Sequence, residues 1–130
     1  MQITYLDGFR FAIENRGLRV ITDQRPPLGG GEGLEPVELL AASLGSCVGV
    51  YAIDYLHRNG LRAEGFRVEV DWSGAAAPRR IGQFTIKVHV PGALTERQRA
   101  SLERIVHGCT VHNTLTHAPG IDIELVEAGG

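Results

Sequence analysis

Pro36-Val37-Glu38-Leu39-Leu40-Ala41-Ala42-Ser43-Leu44-Gly45-Ser46-Cys47-Val48-Gly49-Val50-Tyr51-Ala52-Ile53 is the stretch whose reading decides the fold. Proline suits the first helical position, where its missing N–H costs nothing, and no breaker interrupts the pattern before Asn59-Gly60. The spacing predicts a helix of about six turns with Gly60 as its terminator. Between Leu39 and Ile53 it is apolar nearly all round, which predicts a central helix covered on most sides. The apolar run is shorter than the ~18 to 20 residues of a bilayer span and is interrupted by Ser43, Gly45, Ser46 and Gly49, so a buried helix is expected rather than a membrane one. Ala41, Gly45, Gly49 and Ala52 recur at helical spacing as a strip of small side chains. Glycine inside a helix costs about 1 kcal/mol relative to alanine, so two of them require close packing against a neighbouring element or a second subunit.

Working outward, the residues before this helix alternate as strands do: Ile3 and Tyr5, then Phe9, Phe11 and Ile13, then Leu18 and Val20, with turns at Asp7-Gly8 and Asn15-Arg16-Gly17. An antiparallel meander is the expectation. Gln24 to Gly33, with its paired prolines and run of glycines, breaks every periodicity and is read as a functional loop or rim. After the helix, Phe66, Val68, Val70 and Trp72 and then Phe84, Ile86, Val88 and Val90 predict a second hairpin, turning through Gly74 to Pro78. Thr95-Glu96-Arg97-Gln98 has capping-box spacing and opens a helix with Leu102, Ile105 and Val106 on its apolar face. Gly108 ends that helix, Thr110 is expected to cap a short further one, and Pro119-Gly120 leads into a last strand with Ile121, Ile123 and Leu125 inward. Segregated helices and antiparallel sheets indicate the α+β class.

The chain of 130 residues fits one domain over 1–130, and a formal net charge of -2 with scattered basic residues gives no support to a nucleic-acid or anionic-membrane surface. The amino terminus lacks a basic flank and an apolar signal core, so a cytoplasmic protein is expected. Two cysteines are too few for a disulfide scaffold, and in a reducing compartment their chemistry should be reversible.

Cys47, in the middle of the apolar helix, reads on its own as a small core residue. Cys109 lies at a helix-to-helix junction between His107 and His112, where amide donors and imidazolium charge favour a thiolate. Cys47 is about three turns from its helix start, beyond the reach of the helix dipole, so a thiolate there needs a cation, and Arg10, Arg16, Arg19 and Arg25 are available. Cys109 and His112 have Cys-x-x-His spacing, but zinc sites usually carry two such pairs, and metal ranks last. His57 and His89 are read as surface or structural. The glycine run lacks the lysine and helix context of a phosphate loop, and no nucleophile elbow occurs.

The run Gly29-Gly30, then Glu35-Pro36-Val37-Glu38-Leu39-Leu40-Ala41-Ala42-Ser43-Leu44-Gly45-Ser46-Cys47, together with Cys109-Thr110-Val111-His112-Asn113, resembles the OsmC/Ohr family, and the element order fits over essentially the whole chain. The resemblance implies an OsmC-like fold, antiparallel sheets about a long central helix, and a homodimer with intertwined strands. It implies reduction of organic hydroperoxides, with Cys47 as the peroxidatic thiol, Cys109 as the resolving thiol, and an external dithiol as reductant. No cofactor or metal is implied. Arg10, on an early strand, is the nearest match for the family's activating arginine. Glu38 would orient that arginine, but it is displaced by one residue, or about 100° around the helix, from the position next to the proline in the best-studied branches. The alternative within the same resemblance is a non-catalytic module that binds an apolar ligand or senses redox state.

Overall fold

The computed structural model describes residues 1–129. Three short strands, β1 (Gln2–Asp7), β2 (Arg10–Asn15) and β3 (Leu18–Thr22), form an antiparallel meander in the order β1-β2-β3. Helix α1 (Pro36–Arg58) follows the loop, then the antiparallel hairpin β4 (Arg67–Ala75) and β5 (Arg80–His89), then α2 (Glu96–Val106) and α3 (Thr110–Thr116). The α+β class and every expected element except the last strand are present.

Local chemistry accounts for the boundaries. Pro36 opens α1, and the chain leaves the helix through Asn59 and Gly60, the latter at φ +62°, a conformation that glycine adopts without steric cost. The capping box of α2 forms as its spacing predicts: Gln98 N–H donates to the Thr95 hydroxyl at 3.2 Å and Thr95 N–H donates to the Gln98 side-chain oxygen at 2.9 Å. One expectation shifts by a residue. Cys109, not Thr110, is the N-cap of α3, its sulfur accepting the His112 N–H at 3.2 Å.

Helix α1 packs on β4, β5, α2 and α3. Its small-residue strip meets its own hairpin: a methyl built on Gly45 would lie 2.6 Å from Val70 Cγ2, and one on Gly49 would lie 3.7 Å from Phe66 Cε1. Closest approach is therefore at Gly45, against β4 of the same chain. Coverage is narrower than the sequence suggests. Ala41, Leu44, Gly45, Val48, Ala52 and Leu56 are buried, whereas Leu40 and Val50 are exposed. By length and composition α1 alone among the described helices could cross a membrane, yet one face of it forms the core of this domain.

The meander is nearly detached from that core, its strands contacting chiefly one another. Register places Ile3, Ile13 and Val20 side by side and Tyr5 opposite Phe11, the two rings meeting edge to face at 5.7 Å. Ile3, Tyr5 and Val20 on this face are about half exposed. The expected last strand does not form. Ile121, Ile123 and Leu125 lie in unpaired, irregular chain and are exposed rather than inward. Alternation marks a segment able to be a strand, but a strand also needs an edge to pair with, and this segment pairs with neither sheet of the chain.

Candidate functional site

The two cysteines come together from distant parts of the chain. Cys109 is fully buried and forms the core cluster with Leu44 and Val48; Cys47, one turn of α1 along, packs against that cluster with Tyr51, Phe84, Ile86, Val88, Val106 and Val111. Both thiols are free. Burial pushes the Cys109 thiol above its ordinary value, the His112 N–H opposes this, and the hydrogen bond that the Cys109 S–H donates to the neighbouring Cys47 sulfur adds to the upward shift. A buried thiol beside a second thiol is therefore protonated at neutral pH. The expectation of a thiolate at Cys109, drawn from nearby amides and imidazoles, is corrected: desolvation outweighs the His112 and Val111 amide donors.

The junction that carries Cys109 is firmly tied. Tyr51 on α1 and Thr110 share a hydroxyl hydrogen bond of 2.9 Å, Asn113 Nδ2 donates to the Gly108 carbonyl at 3.3 Å, and His107 Nδ1 lies 2.6 Å from the Glu103 carbonyl. Beside the thiols opens a cavity of about 260 Å³ walled by Val48, Phe84, Ile86, Val88, Val106, His107 and His112. The His107 and His112 rings meet edge to face at 6.0 Å. A wider apolar groove lined by Val37, Leu40, Leu44, Phe84 and Leu115 adjoins it, sharing His112 and Ile86, with Arg80 in its lining.

Glu38 faces the proline-glycine loop. Its Oε1 accepts from Arg25 Nη2, its Oε2 accepts the Glu35 N–H at 2.8 Å, and Arg25 Nε lies 2.9 Å from the Glu35 carboxylate. The Arg25 hydrogen bond, with the Glu35 N–H behind it, holds the Glu38 carboxyl below the usual carboxylate range. The arginine that Glu38 orients is thus Arg25, not Arg10. Arg10 Nη1 donates to Asp7 at 3.1 Å and its Nε lies 3.3 Å from Glu32; none of its polar contacts among the described residues is to a cysteine. It faces Asp23, which is buried and accepts the Gln24 and Glu32 N–H groups at 2.7 and 3.0 Å, the Glu32 bond being the main cause that lowers its pKa. Arg10, Glu32 and Asp23 fasten the loop to the meander. Asp23 was not singled out from the sequence, although an aspartate just before a turn-forming proline segment is a signal for such backbone capture.

The structure therefore brings Cys47 and Cys109 together and places Arg10 and Glu38 elsewhere in the chain. Glu38 and Cys47 are nine residues apart on α1, about two and a half turns, which puts them on opposite faces roughly 13 Å apart along the axis. Among the described residues no group of three potential ligands is disposed to hold a metal.

A family model described as OsmC-like protein matches residues 29–124. Among solved structures, an osmotic-stress-induced and detoxification-response protein, as it is described, from Psychrobacter arcticus superposes with a TM-score of 0.79 at 26% identity, covering 87% of this chain and 85% of the other. An OsmC-like protein from Mycoplasma pneumoniae superposes at 0.73 with 16% identity, covering 90% and 86%. A Legionella pneumophila protein described as an organic hydroperoxide resistance protein superposes at 0.62 with 18% identity, covering 88% and 87%. No curated protein sequence matches.

Proposed function

The chain belongs to the OsmC family, and from that premise we propose that it is a cytoplasmic thiol peroxidase that reduces organic hydroperoxides. The observation that carries this reading is the pairing of two free cysteines, Cys47 from α1 and Cys109 from the α2–α3 junction, in one apolar cluster. Cys47, the less buried of the two, attacks the outer oxygen of the hydroperoxide as a thiolate. The O–O bond breaks, the alcohol leaves, and the sulfur is oxidised to a sulfenic acid. Cys109 then displaces the hydroxyl, giving a disulfide and water, and an external dithiol returns both thiols by exchange. Such chemistry needs no cofactor. The description of the Legionella relative points the same way.

The activating cation belongs to this proposal too. Arg25, held by Glu35 and Glu38 at the start of α1, is the candidate, while Arg10 is engaged by Asp7 and Glu32 in fastening the loop to the meander. Since Glu38 lies on the far face of α1 from Cys47, the Arg25–Glu38 pair of one chain serves the thiol of a second copy in a homodimer. The exposed apolar meander, the open groove along Ala42, Gly49, Val50 and Ile53, and the unpaired segment from Ile121 are the surfaces such a dimer would cover.

The test is titration of the reduced protein with cumene hydroperoxide, counting thiols by mass and cumyl alcohol by chromatography. Loss of two thiols per chain with one alcohol supports the peroxidase. Inert thiols overturn it in favour of a ligand-binding or redox-sensing module, a reading favoured by the complete burial of Cys109.

A further inference from the structure

The ring of His112 has no part in the scheme above, yet its position is unusual. Nδ1 of His112 is buried and has no hydrogen-bond partner among the described residues. An unsatisfied buried polar atom costs free energy, and a fold that tolerates one calls for an explanation. The same residue's N–H holds Cys109 Sγ at 3.2 Å, so the imidazole is anchored within one side chain's length of the sulfur. The ring also lines both the small cavity beside the thiols and the adjoining groove, so it sits where a departing group would pass.

We propose that His112 is a catalytic acid–base for disulfide closure: its neutral imidazole takes the Cys109 proton as that sulfur attacks Cys47, and the imidazolium gives it to the leaving group. This deepens the peroxidase reading and rests on it only for the identity of the oxidant. Starting from the Cys47 sulfenic acid, the Cys109 S–H bond breaks as its proton goes to the imidazole. An S–S bond then forms as the Cys47 S–O bond breaks, and the hydroxide leaves as water with the imidazolium proton, so atoms and electrons balance within the pocket. The need for a base follows from burial, since a desolvated thiol is a poor nucleophile until its proton is removed. Histidine is the side chain that can take and return a proton near neutral pH. The other titratable or charged groups around the ring are His107 from the end of α2, Cys47 and Tyr51 from α1, Cys109 itself, and Arg80 from β5.

The experiment separates closure from the first oxidation. Reduced protein and His112→Gln, which keeps the N–H that caps Cys109 and removes only the ring, are oxidised with cumene hydroperoxide and, separately, with diamide. Diamide forms a sulfenyl hydrazine on Cys47 that Cys109 displaces without any peroxide. Closure is followed by quenched flow and mass, from pH 5 to 9. His112→Gln is expected to form the Cys47 adduct at the wild-type rate and to close roughly a hundredfold more slowly with either oxidant. It should lose the histidine inflection in the pH profile, and free imidazole should restore much of the rate. A purely structural role would not be rescued by imidazole. Closure in His112→Gln with the wild-type rate and pH profile, or slow closure that imidazole does not restore in a normally folded variant, overturns the proposal. Should hydroperoxide leave the wild type unchanged while diamide closure still depends on His112, the peroxidase reading fails and this inference stands.

Discussion

Two substitutions one turn apart on α1, Gly45→Ala and Gly49→Ala, should have opposite signs. Each replaces helical glycine by alanine, which by propensity alone stabilises by about 1 kcal/mol. At Gly49 the added methyl would find Phe66 Cε1 at 3.7 Å and Val68 Cγ2 at 3.8 Å, ordinary van der Waals contact, so most of that gain is retained. At Gly45 it would lie 2.6 Å from Val70 Cγ2, well inside contact distance. Valine is stiff at χ1 and Val70 is fixed in the β4–β5 ladder opposite Ile86, so relief requires α1 to move away from the sheet. Overpacking of that kind costs about 1–3 kcal/mol, leaving Gly45→Ala neutral to about 2 kcal/mol destabilised. The two variants should then differ by about 1–3 kcal/mol, several degrees in Tm for a domain of this size. Urea unfolding followed by circular dichroism measures the difference, with light scattering at each protein concentration to keep any loss of association apart from loss of folding. Equal effects of the two substitutions, or a Gly45→Ala variant more stable than wild type, would refute the close approach of α1 to β4.

Cys47→Ser should abolish peroxide consumption, while Cys109→Ser should still release one alcohol and leave a sulfenic acid that a dimedone probe traps on Cys47; probe on Cys109 in the Cys47→Ser protein reverses the roles. Glu38 is held below its ordinary value of 4.5, so the stability it contributes is fully present above that pH and is lost as pH falls through its depressed folded value. Glu38→Gln should therefore flatten the acid limb of a stability-versus-pH curve, and an unchanged limb would mean the pair with Arg25 does not persist in solution. Cys109 runs the other way: its raised value means the folded state prefers the protonated thiol, so its contribution is lost as pH rises above about 9, and Cys109→Ala should lessen alkaline destabilisation in urea titrations. A folded monomer at micromolar concentration in light scattering would sink the proposed homodimer.

Helices were the most legible part of the sequence because their signals are local. Pro36, Gly60 and the Thr95–Gln98 box each fix a boundary through groups within one turn. The strand pattern from Ile121 to Leu125 is as regular as that of β4, but a strand is completed by a pairing edge that no local pattern encodes. Coverage of α1 was overestimated for a related reason: hydrophobicity reports that Leu40 and Val50 are apolar, not what lies over them. The two cysteines were visible as an unusual pair and through the family resemblance, and the structure adds their juxtaposition. Choosing Arg10 over Arg25 depended on which carboxylates each arginine meets across the loop, a question of three-dimensional pairing. The sequence marks His112 only through its Cys-x-x-His spacing and its nearness to Cys109, since its orphaned ring nitrogen is a property of the folded cavity.

The unpaired run Ile121-Asp122-Ile123-Glu124-Leu125-Val126 bears on how newly made chains meet one another. A segment of alternating β-branched and aliphatic residues with open backbone donors and acceptors is a template for any other unpaired strand, including the same segment of a neighbouring nascent chain. Asp122, Glu124 and the following Glu127 place like charges along it, so two such segments stacked in register repel one another. On the proposed homodimer, those acids would act as gatekeepers against fibril-like self-association until the segment is covered. Replacing them by asparagine and glutamine should leave the core around Cys109 intact while raising the yield of thioflavin-positive aggregate.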